Sequence, residues 1–248
     1  MTLHEISPLH HEAIERIRAR YGHDSSSHAF ISLLHWQEEM GLSLYIQKDM
    51  FAVKCESRGD NCWFFPCGEE KAVAEFIAEL LGNKAPLRLR YMRKEDVEML
   101  RHHFPHRFAI MDAPQDSEYI YDKAEQLAML GSNFRHQRNS INRVKQKYRL
   151  ETKQICGENM AEIAPIWEDI RDKSIKNAFA IATLKPERMM LHNWEKLGMS
   201  GILIYADGAP AAIAAGFMLS DEIYDISICR QALDDADIII IKWFQERL

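Results

Sequence analysis

Between Phe134 and Arg149 the sequence FRHQRNSINRVKQKYR carries Arg135, Arg138, Arg143, Lys145, Lys147 and Arg149 without a single acid. In a chain of formal net charge −6 this is a local inversion of sign. Guanidinium forks match the paired oxygens of phosphate and carboxylate, so the chemistry open to such a stretch is the holding of a polyanion. A tRNA end, a lipid headgroup phosphate and a coenzyme A pyrophosphate all qualify. The competing reading is a solvated helix face whose charges are answered by acids elsewhere in the fold.

Helical spacing sorts these residues. At 100° per residue, Phe134, Ile141, Val144 and Tyr148 form one apolar stripe. Arg135, Arg138, Asn142, Lys145 and Arg149 line a border of that stripe, while Arg143 and Lys147 point away. A border position lets an aliphatic stem pack while its charged head reaches outward. The predicted anion-binding set is therefore Arg135, His136, Arg138, Asn139, Asn142, Arg143 and Lys145. Tyr121, on the segment just ahead of the helix, joins it. No residue type or spacing singles out a general base, so the catalytic residues stay unassigned.

The elements that must position this helix can be read on either side of it. Pro8 to Tyr21 has helical periodicity, and Ser25 to Ser27 offer a cap for a second helix carrying Phe30, Leu33, Leu34 and Trp36. GLSLYIQKDMFAVKCES predicts a hairpin turning near Lys48-Asp49, and NCWFFP a third strand. EEKAVAEFIAELLG is an amphipathic helix stopped by Gly82. LRLRYM reads as a strand, KEDVEMLRHHF as a helix, and RFAIMD and EYIYD as strand or extended chain. Packing in the core is the expectation for Tyr119 and Tyr121.

The second half repeats that order. KAEQLAML is a short helix, and the basic helix follows with Ser132 as its expected N-cap. RLETKQIC is a strand, and ENMAEIAPIWEDIRDKS and LKPERMMLHNWEKLG are helices. GILIYADGAPAAIAAGFML is a hairpin with Asp207-Gly208 at its turn. EIYDISIC is a strand, and ADIIIIKWFQERL a buried helix or strand. The repeated order suggests a structural duplication. Residues 1–115 form the first expected unit and 116–248 the second, split in the polar stretch DAPQDS.

Composition limits the function classes. The 248 residues are 47% hydrophobic and 27% charged, ordinary globular usage that can bury a sizeable core. No apolar run has the length of a membrane span, and the N-terminus lacks an apolar signal core, so a soluble cytoplasmic chain is expected. The five cysteines are irregularly spaced, as in a reduced chain. Cys62 and Cys67 have no second Cys/His pair at ligand spacing, so no metal is expected. Most of the eleven histidines are expected to be solvated. The five tryptophans sit in apolar patterns and are expected to be buried. The chain has no GxSxG, P-loop, HExxH or GxGxxG. That leaves binding modules, and enzymes that act mainly by positioning reactants.

The stretch from Tyr119 to Tyr148 resembles the phosphatidylglycerol lysyltransferase C-terminal domain family. The family shows an aromatic Y-x-Y, a short helix ending in a small-residue turn, and then a basic helix. Here these are Tyr119, Tyr121, Leu127, Gly131, Arg138, Asn139, Ile141, Asn142 and Arg143, with Val144 where the family is usually aromatic. Phe30 to Trp36, Trp63 to Gly68 and Leu197 to Leu219 extend the likeness over most of the chain.

The resemblance implies an α/β (α+β) fold of tandem GNAT-like units with mixed sheets. It also implies transfer of an aminoacyl or acyl group to an amine or hydroxyl. Aminoacyl-tRNA or an acyl-CoA would be the donor, and a non-catalytic anion-binding module on the same shell is the alternative. The loop CRQALDDADII lacks the pyrophosphate loop of acetyl-CoA enzymes and carries Asp234, Asp235 and Asp237, which would repel phosphate. The chain stops at Leu248 short of the family's closing segments. An open sheet edge, and with it either a homodimer or an incomplete chain, is the expectation.

Overall fold

Apolar alternation in LSLYIQ and the denser apolar run MFAVKC produce β1 (Leu42–Gln47) and β2 (Met50–Cys55). They pair antiparallel, with Gln47 opposite Met50 across the expected Lys48-Asp49 turn. The computed structural model describes residues 1–56, 61–83, 85–166 and 178–232, the side chains of 178–182 excepted. The chain divides into two units. Met1–Glu118 with Leu219–Ile223 forms one, and Tyr119–Met218 with Tyr224–Leu248 forms the other. The division thus falls at Glu118/Tyr119, three residues beyond the expected end of the first unit at 115.

In the first unit, α1 (His11–Arg20) and α2 (Phe30–Met40) pack on each other and on β1 and β2. β3 (Cys62–Phe64) continues the sheet antiparallel to β2, and β4 (Cys67–Gly68) pairs with β2 alongside. The chain then crosses over through α3 (Glu70–Gly82) to β5 (Leu89–Arg90), which lies parallel to β3. The sheet is therefore mixed, in the order β1-β2-β3-β5 with β4 beside β2. The crossover helix buries Val73, Phe76, Ile77 and Leu80 on Met50, Ala52, Trp63 and Phe65, and Leu100 of α4 (Lys94–His103) closes that core.

The end of the first unit is tied down by charge. The Arg90 guanidinium donates to both carboxylate oxygens of Asp116 at 2.9 and 2.7 Å. The Glu118 carboxylate takes hydrogen bonds from the Ser26 amide (2.8 Å) and from the Ser25 and Ser26 hydroxyls (3.0 and 2.7 Å). The serines thus hold Glu118 rather than cap α2. The N-cap residue of α2 is Ala29, which has no side-chain cap.

The second unit is a four-stranded antiparallel meander: β6 (Leu150–Gln154), β7 (Ser200–Ala206), β8 (Ala209–Met218) and β9 (Tyr224–Gln231), in that order. Asp207 and Gly208 turn β7 into β8 with φ of 51° and 84°, the two positive values a tight hairpin with right-handed twist requires. A short helix α5 (Lys123–Ala128) precedes α6 (Arg135–Lys147), the predicted basic helix. Phe134, Ile141 and Val144 are buried with Ile202, Ile204, Ala212 and Ala214, and Tyr148 packs against them. These strand residues alternate, so α6 covers one face of the meander. On the other face lie a 3-10 turn at Met160–Ile163, whose Glu162 accepts from the Tyr205 hydroxyl at 2.8 Å, and α7 (Ala178–His192), whose Glu187 pairs with Arg230.

Other sequence expectations need correction. Of the two readings of RFAIMD and EYIYD, strand or extended chain, strand is not the one observed, and Tyr119 and Tyr121 are 87% and 55% exposed rather than in the core. A strand needs a neighbour to satisfy its ladder, and neither segment has one among the described residues. LRLRYM contributes only Leu89–Arg90 to the sheet. Ser132 does not cap α6 with its side chain; its carbonyl accepts from the Arg135 amide at 3.0 Å, and Phe134 is the N-cap. Most histidines are exposed as expected, and His23, His28 and His35 are the buried exceptions. Trp63 and Trp194 are buried as expected, and Trp36 is half-buried. Trp167, Trp243, residues 167–174 of ENMAEIAPIWEDIRDKS, and ADIIIIKWFQERL together with Asp234 and Asp235 ahead of it lie outside the described residues.

Candidate functional site: the exposed face of the basic helix

The sequence forms α6 because its apolar residues recur at helical spacing with no glycine or proline inside. With Phe134, Ile141 and Val144 held against the meander, the remaining faces turn to solvent. Arg135, His136, Asn139, Asn142, Arg143 and Lys145 are all exposed. The helix contains no acid in its first turn and carries Lys145 and Lys147 in its last. Lysines suit the negative C-terminal end of the dipole, whereas Arg135, His136 and Arg138 crowd the positive N-terminal end, where cations are disfavoured. No side chain caps that end. Backbone amides, dipole and guanidinium groups there all favour an anion.

The predicted residues do not share one role. Arg138 is half-buried, and its Nη1 donates to the carbonyl of Met129 and, at 2.9 Å, to that of Gly131. Met129 and Gly131 stand at φ of 46° and 81°, in the left-handed turn that ends α5. Arg138 therefore locks the turn that leads into its own helix. Arg143 reaches the buried Ser140 hydroxyl at 3.5 Å. Lys147 lies 4.9 Å over the Tyr148 ring, and Arg149 stands 3.6 Å from Glu151. Tyr121 stacks on Tyr119 with centroids 6.4 Å apart at 14°, so the segment before α5 presents an exposed aromatic pair.

Sequence reasoning did not foresee the polar groups behind the sheet of the second unit. Burial, then the Glu162 carboxylate, pushes the Tyr205 phenol up to about 12, so it stays protonated and donates. Two surface hollows of about 590 and 540 Å³ lie along α3 and α4 of the first unit, and no residue of the predicted set lines them. Among the described residues no cluster of His, Cys, Asp or Glu has metal-binding geometry, and no helix is long and apolar enough to cross a membrane.

The family model described as "Phosphatidylglycerol lysyltransferase, C-terminal" matches residues 18–234. No curated protein matches the sequence. A crystal structure of a conserved protein of unknown function from Bacteroides thetaiotaomicron superposes with a TM-score of 0.89 at 18% identity, covering 100% of this chain and 86% of the other. A second, described as the C-terminal domain (DUF2156) of a candidate lysylphosphatidylglycerol synthetase from Agrobacterium fabrum, gives 0.56 at 13% identity over 95% of this chain and 73% of that one. At such identities the likeness carries the fold, an α/β fold of the GNAT-like kind.

Proposed function

We propose, since the chain belongs to the phosphatidylglycerol lysyltransferase C-terminal domain family, that it is a transferase moving an aminoacyl or acyl group from an anionic donor to an amine or hydroxyl acceptor. The observation that carries this reading is the uncapped, cation-rich first turn of α6. Its charges are unfavourable at a helix N-terminus unless an anion compensates them. Arg135, His136, Asn139, Asn142, Arg143 and Lys145 hold the phosphates of the donor, and Arg138 keeps the turn beneath them in shape. Tyr121 and Tyr119 give unpaired bases a surface to stack on, a contact every base can make. Aminoacyl-tRNA suits the basic helix face and the aromatic pair together better than an acyl-CoA does.

The chemistry itself needs little from the protein. The acceptor's lone pair attacks the ester carbonyl, the tetrahedral centre collapses, the donor's hydroxyl leaves, and the acceptor's proton ends on that oxygen. Holding the two reactants at bonding distance supplies much of the rate.

The test is binding and transfer measured with one aminoacyl-tRNA preparation. Arg135→Glu combined with Lys145→Glu is expected to weaken binding roughly 10- to 100-fold per lost contact, the range of a charge-assisted hydrogen bond. The salt dependence should flatten along with it. Unchanged affinity in the double variant would overturn the reading. Binding without transfer to any amine or hydroxyl acceptor would leave the non-catalytic anion-binding module instead.

A further inference from the structure

Helix α1 ends in a left-handed turn. Tyr21 donates to the Ile17 carbonyl at 3.1 Å, His23 donates to the Arg18 carbonyl at 3.1 Å, and Gly22 between them stands at φ 62°. In this six-to-one closure the side chains at the two bonded positions normally make an apolar contact that seals the helix end. Here those positions hold Arg18 and His23, at 3% and 2% exposure. Nothing about the turn requires polar groups there, and burying them is costly unless their hydrogen bonds are made.

Those hydrogen bonds are made only in part. Arg18 Nη1 pairs with the Glu15 carboxylate, whose other oxygen takes the Phe30 amide at 2.7 Å. Arg18 Nε and Nη2, and both ring nitrogens of His23, are enclosed and have no hydrogen-bond partner among the described residues. The two free arginine atoms lie on one edge of the guanidinium, with their N–H bonds nearly parallel, the edge that grips oxygen.

The surroundings are closed and electrically balanced. The His28 ring lies 3.9 Å from that of His23. His28 Nε2 donates to the Phe65 carbonyl at 2.7 Å while its Nδ1 takes the Ser27 hydroxyl at 3.0 Å, a pattern only the neutral ring can make. Arg93 donates to the Gly22 carbonyl at 2.8 Å and forks onto Asp96 at 3.1 and 2.9 Å. Arg18 with Glu15 and Arg93 with Asp96 are thus two neutral pairs. An extra anion here would be buried without a counter-charge.

The ligand must be neutral, must accept from the Arg18 edge, and must both donate to and accept from His23, since a neutral imidazole has one nitrogen of each kind. We propose that Arg18 and His23 enclose ordered water, with one oxygen on the Arg18 Nε/Nη2 edge and hydrogen-bonded onward to His23. Buried waters typically make about three such bonds to groups left unsatisfied by the protein.

A high-resolution crystal structure of the unaltered chain tests this directly. The expected result is a water peak within hydrogen-bond distance of Arg18 Nε or Nη2 and of His23. A companion measurement in solution is oxygen-17 relaxation dispersion, which counts long-lived internal waters. His23→Leu, or the paired Arg18→Met/His23→Leu if the single change does not fold, is expected to lose at least one. A direct Arg18–His23 hydrogen bond with no density between them would overturn the proposal. So would an unchanged water count, or an anomalous bromide peak on the Arg18 edge after a bromide soak.

Discussion

Arg138 shows how one residue type can answer to two demands. Its place on the border of the apolar stripe is that of an anion ligand, yet its Nη1 is given to two carbonyls of the preceding turn. Arg138→Ala is accordingly expected to lower stability by about 1.5–2 kcal/mol in chemical denaturation, the lower part of the range for bonds to a charged group. Unaltered stability would return the residue to a purely external role. The buried histidines predict a pH response. Burial first, helped by Arg18 and Arg93, pulls His28 from the ordinary 6.5 to about 4, against the Phe65 carbonyl and Asp96. Burial does the same to His35, also to about 4, and lowers His23 further. Between pH 6.5 and 4 the unfolded chain takes up protons that the folded chain refuses. Their stabilisation is therefore complete above 6.5 and drains as the pH falls towards 4. The urea midpoint should drop over that window, and less steeply in His28→Gln; equal slopes in the two proteins would rule His28 out as a source.

At the scale of elements, periodicity made α6, α3 and both hairpins legible, because their apolar spacing and their turns are written in consecutive residues. Tyr119 to Tyr121 misled for the opposite reason. Alternation marks a strand only if a neighbour supplies the ladder, and that depends on residues far away in the sequence. The N-caps misled similarly. Ser25 to Ser27 had the right chemistry for a cap, but the Glu118 carboxylate, more than ninety positions on, claims them. One element prediction rests on a glycine. Gly216 sits where the β8–β9 register shifts, and a Cβ there would stand 1.7 Å from the Asp225 carbonyl oxygen. The obstacle is backbone on both sides, so it cannot swing away. Gly216→Ala should therefore separate β9 from β8 and destabilise the protein by more than the ~1 kcal/mol that an ordinary substitution costs. A melting temperature within a degree or so of the parent would contradict that close approach.

For the whole molecule, the α/β class was readable because helix and strand periods alternate along the chain. The candidate site was readable only as a charge anomaly, since an anion-binding face needs no fixed motif. The buried Arg18–His23 pair left no signal at all: an arginine near a helix end and a histidine past a glycine look solvated until the turn folds them inward. The thiols carry a consequence of a different kind. Cys55, Cys62 and Cys67 are all buried and all belong to the first unit, whereas Cys156 is exposed, Cys229 is partly so, and both belong to the second. Alkylation kinetics therefore come already sorted by unit. A mass spectrometer following iodoacetamide uptake should record Cys156 early and Cys229 later. The remaining three adducts should arrive together, at the rate the first unit opens, so that the unlabelled natural protein times the opening of one of its units by itself.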